Sequence, residues 1–228
     1  KYFDTYAIDM LGHGYTDRPD RPMTTAEYVN HVKNFMDAMK IEKASFIGLS
    51  LGSWVSTKLA VKHPERVEKV SMLSPWGRLV AKPDLNSPFF REGNKNRLAA
   101  AINPTWERME KIFEGLIAKP EQRLPDLLGL RMKLYSQPDM GKTMENIFNG
   151  LDRSWSEGYV TDDEARSLKC PYLIYAAVDH KDIFLDCAYE YAKLIPNNRL
   201  VELKGASHWP QWEAFEEFNR INLEFLRS

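Results

Sequence analysis

Ala44-Ser45-Phe46-Ile47-Gly48-Leu49-Ser50-Leu51-Gly52 decides the fold. A short apolar run, Ala44 to Ile47, reads as a buried strand and meets a Gly-x-Ser-x-Gly turn without a spacer. The residues from Ser53 to about His63 then follow at helical spacing. Strand, tight turn and helix in that order place a serine hydroxyl at the apex of a sharp bend, where it projects from the backbone. A glycine two residues to either side is expected to relieve the crowding of such a bend, and the helix that follows offers backbone N–H groups to a developing oxyanion. Ser50 is therefore the candidate nucleophile, and the Leu51 amide the candidate oxyanion donor.

Outward from this turn the chain alternates β and α. Upstream, Phe3 to Asp9 reads as a strand running into Gly12-His13-Gly14, and Thr24 or Thr25 caps a helix carrying Val29, Val32, Phe35, Met36 and Met39. Downstream, Pro64-Glu65-Arg66-Val67 leads to a further apolar run, Val70 to Leu73. Such alternation builds a mostly parallel sheet, an α/β class. From Pro75 to about Thr161 the pattern changes to helical spacing punctuated by prolines, which reads as a helical insertion. Tyr172 to Ala177 and Arg199 to Leu203 then read as strands separated by a helix around Ala188 to Leu194, and Glu213 to Leu226 as a closing helix. The expected division is 1–75 and 162–228 for the core and 76–161 for the insertion.

A serine hydroxyl needs a base, and in a fold of this kind the base follows the last strand. His208 sits there, among small residues in Gly205-Ala206-Ser207-His208-Trp209. The carboxylate that orients the imidazole is expected after the preceding strand, which delivers the chain to Asp179; Asp182, three residues on, is the alternative.

The composition restricts the partners. With a formal net charge of −1 over 228 residues and its 31 lysines and arginines scattered, the chain has no basic field for a nucleic-acid backbone. No apolar run is long enough to span a bilayer, and Lys1-Tyr2-Phe3-Asp4 lacks the pattern of a secretory signal. Cys170 and Cys187 are the only cysteines and read as reduced thiols, so the expected setting is cytoplasmic. Neither has metal-ligand spacing, and neither metal nor cofactor is called for. The expected partner is a small-molecule substrate.

Through Ala7-Ile8-Asp9-Met10-Leu11-Gly12-His13-Gly14, the Ser50 turn, His63-Pro64-Glu65-Arg66-Val67 and the His208 loop, the chain resembles the α/β-hydrolase superfamily over almost its whole length. Gly205 to Glu213 and Phe218-Asn219-Arg220 are similar to the meta-cleavage-product hydrolases, which cut a carbon–carbon bond in vinylogous diketones from aromatic-ring degradation. That resemblance implies a helical cap at 76–161, an arginine at Arg131 that grips the acid end of the substrate, and a substrate-facing Trp209. Leu49 stands before the nucleophile, where the family often carries a polar residue. Trp76, Phe89, Phe90, Trp106, Met132 and Tyr135 are the expected cap walls around a largely apolar substrate. Esterase, lactonase and catalytically weak binding protein are the other readings. The family's first strands and its His-Gly oxyanion loop are expected to be missing before Tyr2, leaving a core incomplete at its N-terminus and an edge open to pairing, as in a homo-oligomer.

Overall fold

The computed structural model describes residues 2–78 and 88–228, with the backbone alone at 88–92 and 157. Its sheet has four strands in sequential order, β1 (Ala44–Leu49), β2 (Val67–Leu73), β3 (Tyr172–Ala177) and β4 (Asn198–Leu203). All three pairings are parallel: Leu49 lies opposite Leu73, Met72 opposite Ile174 and Ala177 opposite Leu203. Helices α1 (Thr25–Ala38) and α2 (Leu51–Lys62) flank the first strand, and α8 (Ile183–Leu194) crosses from β3 to β4. Between β2 and β3 the described chain is helical: α3 (Pro88–Ile102), α4 (Trp106–Glu114), α5 (Pro125–Tyr135), α6 (Met140–Glu157) and α7 (Asp162–Ser167). Two helices, α9 (Pro210–Glu213) and α10 (Phe215–Arg227), close the chain.

The core explains the order of these elements. A strand covered on both faces reads as a nearly continuous apolar run, and Tyr172, Leu173, Ile174, Tyr175 and Ala176 of β3 are all buried. Helix α2 is buried around most of its circumference, Trp54, Val55, Leu59 and Ala60 included. Its one buried charge, Lys58, is neutralised by Glu164 of α7 at 2.7 Å. On the other face of the sheet, Leu73, Leu173, Tyr175 and Leu203 pack against Phe218, Ile221 and Phe225 of α10.

Three sequence expectations are corrected. Phe3 to Asp9 is not a strand: a strand needs a neighbour to complete its hydrogen bonds, and none of the four described strands pairs with this segment. Tyr2, Phe3 and Tyr6 stand exposed along it, Tyr6 edge-on to Phe35 of α1. Helix α8 begins at Ile183 rather than near Ala188, because the Asp182 carboxylate accepts the amides of Phe184 and Leu185 at 2.9 and 3.1 Å and caps it. The closing helix is broken at Ala214 (φ −126°, ψ 45°), where Glu213 turns inward.

Candidate active site

The elbow at Ser50 is strained. Ser50 has φ 52° and ψ −113°, a conformation that L-residues rarely adopt and that survives only where the surroundings enforce it. Enforcement comes from both flanks. The Ser50 amide donates to the Leu73 carbonyl at 2.9 Å, while the Ser50 carbonyl accepts from Ser53 and Trp54 in the first turn of α2. A Cβ at Gly48 would lie 2.5 Å from the Gly52 carbonyl oxygen, so glycine is required there. At Gly52 a Cβ would meet nothing, so the expected symmetry of the two glycines is corrected: only the first relieves crowding. Leu51 and Gly52 open α2, and first-turn amides have no partner within a helix.

His208 lies in the loop between β4 and α9, 7% exposed, with its carbonyl fixed by the Ser74 hydroxyl at 2.8 Å. The same loop is anchored by Glu213, whose carboxylate accepts the Ser207 amide and hydroxyl at 2.7 and 2.6 Å and the Ala118 amide at 2.8 Å. Phe184 covers the imidazole, ring centroids 4.3 Å apart. Burial, then the Arg97 charge, then His180 push the His208 pKa down to about 3, so the ring is neutral at ordinary pH, the form a general base requires.

Ser50 and His208 open onto one cavity of about 580 Å³, together with Leu49, Leu51, Arg131 and Trp209. Trp76 and Tyr135 also line it, as expected of the wall residues; Trp106 and Met132 do not, Trp106 being 56% exposed on the outer surface. The side chains of Phe89 and Phe90 lie outside the described residues. Trp209 packs edge-on against Phe113, and Arg131 lies over the rings of Phe113 and Tyr135, donating to the Tyr135 hydroxyl at 3.3 Å.

Asp179 is not on this wall. Its carboxylate accepts the Gly205 amide at 2.7 Å, holding the loop that carries His208 rather than the imidazole itself. Asp182 caps α8 and pairs with His180 Nε2 at 3.4 Å; burial raises its pKa. The Nδ1 of His208 is buried with no hydrogen-bond partner among the described residues.

Sequence reading missed several cavity residues. His13 lies there, its Nδ1 on the Leu11 carbonyl at 3.0 Å and its pKa lowered chiefly by burial. Arg97 and Asp152, from α3 and α6, are also lining residues. Nothing local distinguishes Arg97 within the polar run Asn94-Lys95-Asn96-Arg97 from a solvated helical arginine. Among the described residues no group of three or more His, Cys, Asp or Glu side chains is placed to hold a metal ion. No described helix is long and apolar enough to cross a membrane.

A strained serine between a parallel strand and a helix, sharing a cleft with a histidine beyond the last strand, fixes the comparison. Residues 1–215 match the alpha/beta hydrolase fold family. The chain belongs to that family. It is a hydrolase-fold enzyme resembling the carbon–carbon bond hydrolases. The 2-hydroxymuconate semialdehyde hydrolase of Pseudomonas putida is 28% identical over 227 residues, 96% of this chain and 75% of that protein. The 2-hydroxy-6-oxo-6-phenylhexa-2,4-dienoate hydrolase of Comamonas testosteroni is 25% identical over 197 residues, 86% of this chain and 67% of that protein. Among solved structures, a meta-cleavage product hydrolase from Pseudomonas fluorescens IP01 superposes with a TM-score of 0.82 at 24% identity, covering 96% of this chain and 78% of that one. The α/β-hydrolase fold expected from the elbow and the His208 loop is thus established.

Proposed function

We propose that this α/β-hydrolase is a serine hydrolase acting on a small to medium, largely apolar carbonyl substrate, and that the bond it cleaves is the carbon–carbon bond of a ring-cleavage product. Ser50 Oγ attacks the carbonyl carbon as His208 takes its proton, and the Leu51 amide holds the oxyanion. Collapse expels the leaving group, which receives the proton from His208: a stabilised dienolate for a vinylogous diketone, an alkoxide for an ester. Water, deprotonated by His208, then hydrolyses the acyl-enzyme. Asp179 is assigned as the acid that supports the imidazolium, with residues 76–161 as the cap and Arg131 as the grip on the substrate's acid end. The observation that carries this reading is that Ser50, His208 and Arg131 line one cavity. The names of the two relatives above are its second support.

A second reading, an enzyme of slow turnover or a binding protein, draws on the Nδ1 of His208, which has no partner among the described residues. A third is a carboxylesterase or lactonase. The deciding experiment follows the loss of a dienoic ring-fission product spectrophotometrically beside a p-nitrophenyl ester, in the wild-type chain and in Arg131→Ala. Turnover of the dienoate that falls at least about tenfold in Arg131→Ala, with less change for the neutral ester, supports the carbon–carbon reading. Ester turnover alone moves the assignment to an esterase, and an unchanged dienoate rate removes Arg131 from the substrate site.

A further inference from the structure

The cavity holds two guanidinium groups, and among the described residues no carboxylate is paired with either. Arg97 comes from α3 and Arg131 from α5, and among the described residues neither forms a salt bridge. The contacts of Arg131 are the Tyr135 hydroxyl and two aromatic faces; none of them is a carboxylate. The acidic groups on the same wall do not serve either one. Asp9 accepts the Tyr15 amide at 3.0 Å, and burial is what raises the pKa of Asp152, with no arginine acting on it. Drawing two cations together inside a mostly apolar pocket costs free energy unless an anion joins them.

We propose that Arg97 is a second, specificity-determining arm beside Arg131, the two forming a clamp for the carboxylate of an aromatic or dienyl acid. The body of such a ligand is matched by Phe113, Tyr135, Trp155 and Trp209 around the arms. A planar guanidinium suits a carboxylate because it can donate two parallel hydrogen bonds. The position of Arg97 is also marked by electrostatics, since its charge reaches His208, His13 and Arg131. A ligand carboxylate on Arg97 therefore offsets the larger of the two charges that oppose protonation of His208. Occupancy of the clamp makes His208 a better proton acceptor, and acids are favoured over neutral analogues of the same shape.

This inference rests on the proposed function and deepens it by adding Arg97 to the site that holds the substrate's acid end, but its test needs no turnover. Binding of benzoate and of its neutral isostere benzamide is measured calorimetrically for the wild-type chain, Arg97→Gln, Arg97→Lys and Arg131→Gln. The expected result is benzoate binding at least about tenfold tighter than benzamide, with each Gln variant losing about tenfold for benzoate and less than about twofold for benzamide. Arg97→Lys restores most of the benzoate affinity, and retained benzamide binding shows that the cavity is intact. Should Arg97→Gln lose both ligands, Arg97→Lys decides: recovery of benzoate selectivity supports the clamp, and loss of it overturns it. Benzoate affinity unchanged in Arg97→Gln, or benzoate no tighter than benzamide in the wild type, overturns the inference. If Ser50 proves unreactive while benzoate selectivity still depends on Arg97, the hydrolase reading fails and the clamp stands.

Discussion

The carboxylate of Asp179 holds the Gly205 amide at 2.7 Å, so the acid assigned to the triad grips the histidine's loop, and among the described residues the histidine's own Nδ1 has no partner. In this arrangement Asp179 acts on the His208 loop through the Gly205 backbone. Asp182, which caps α8 and meets His180, is held by two amides and has its own structural task.

Substitution separates these two carboxylates. Asp179→Asn is expected to lower kcat by about a hundredfold or more, by analogy with acid-to-amide changes in serine triads. Asp182→Asn keeps a side-chain oxygen for the helix cap and is expected to cost less than about tenfold in kcat and about 1 kcal/mol or less in stability. Steady-state kinetics with thermal melts on both variants check this, and the reverse ranking would transfer the role to Asp182.

The depressed pKa of His208 links stability to pH. The folded-state value is about 3 against 6.5 for the free side chain, so between those limits the unfolded chain binds a proton that the folded chain does not. Stability is accordingly greatest above pH 6.5 and falls as the pH drops toward 3, by on the order of 1.4 kcal/mol per pH unit at most from this one group. The groups facing the ring, Arg97 from α3 and His180 from the β3–α8 loop, act in the same direction as burial. Urea melts at pH 7 and pH 5 on the wild-type chain and His208→Gln measure it; a wild-type pH dependence no steeper than the variant's contradicts the burial argument.

The two elbow glycines are expected to respond differently. Gly48→Ala forces a methyl group to within 2.5 Å of the Gly52 carbonyl oxygen and should destabilise by roughly 1–3 kcal/mol while displacing Ser50. Gly52→Ala meets open space in the first turn of α2 and should be neutral or stabilising by up to about 1 kcal/mol. Chemical denaturation of both variants is the check, and equal losses would show that the crowding is shared.

Sequence legibility followed the range of the forces involved. The Ser50 elbow was readable because strand, turn and helix are contiguous and each obeys a local rule. The symmetry assigned to Gly48 and Gly52 was not, because which glycine is crowded depends on how the helix folds back over the strand. Phe3 to Asp9 has strand-like residues yet lacks a neighbour, a property of the assembled sheet rather than of the segment. His208 is singled out by its place after the last strand and Trp209 by the family resemblance, and both line the cavity. Glu213, by contrast, looked like an ordinary helical glutamate, and only its contacts with Ser207 and Ala118 show that it ties the histidine loop to the helical segment. Arg97 was invisible for the same reason: its meaning lies in what it faces across the cavity.

Whether Ser50 is the nucleophile that His208 activates is tested by covalent labelling with a fluorophosphonate, read by intact mass and located by peptide mapping. A single adduct is expected on Ser50, absent in Ser50→Ala and formed at least about a hundredfold more slowly in His208→Gln. A chain that stays unlabelled, or carries its adduct elsewhere, or labels Ser50 equally fast without His208, would contradict it.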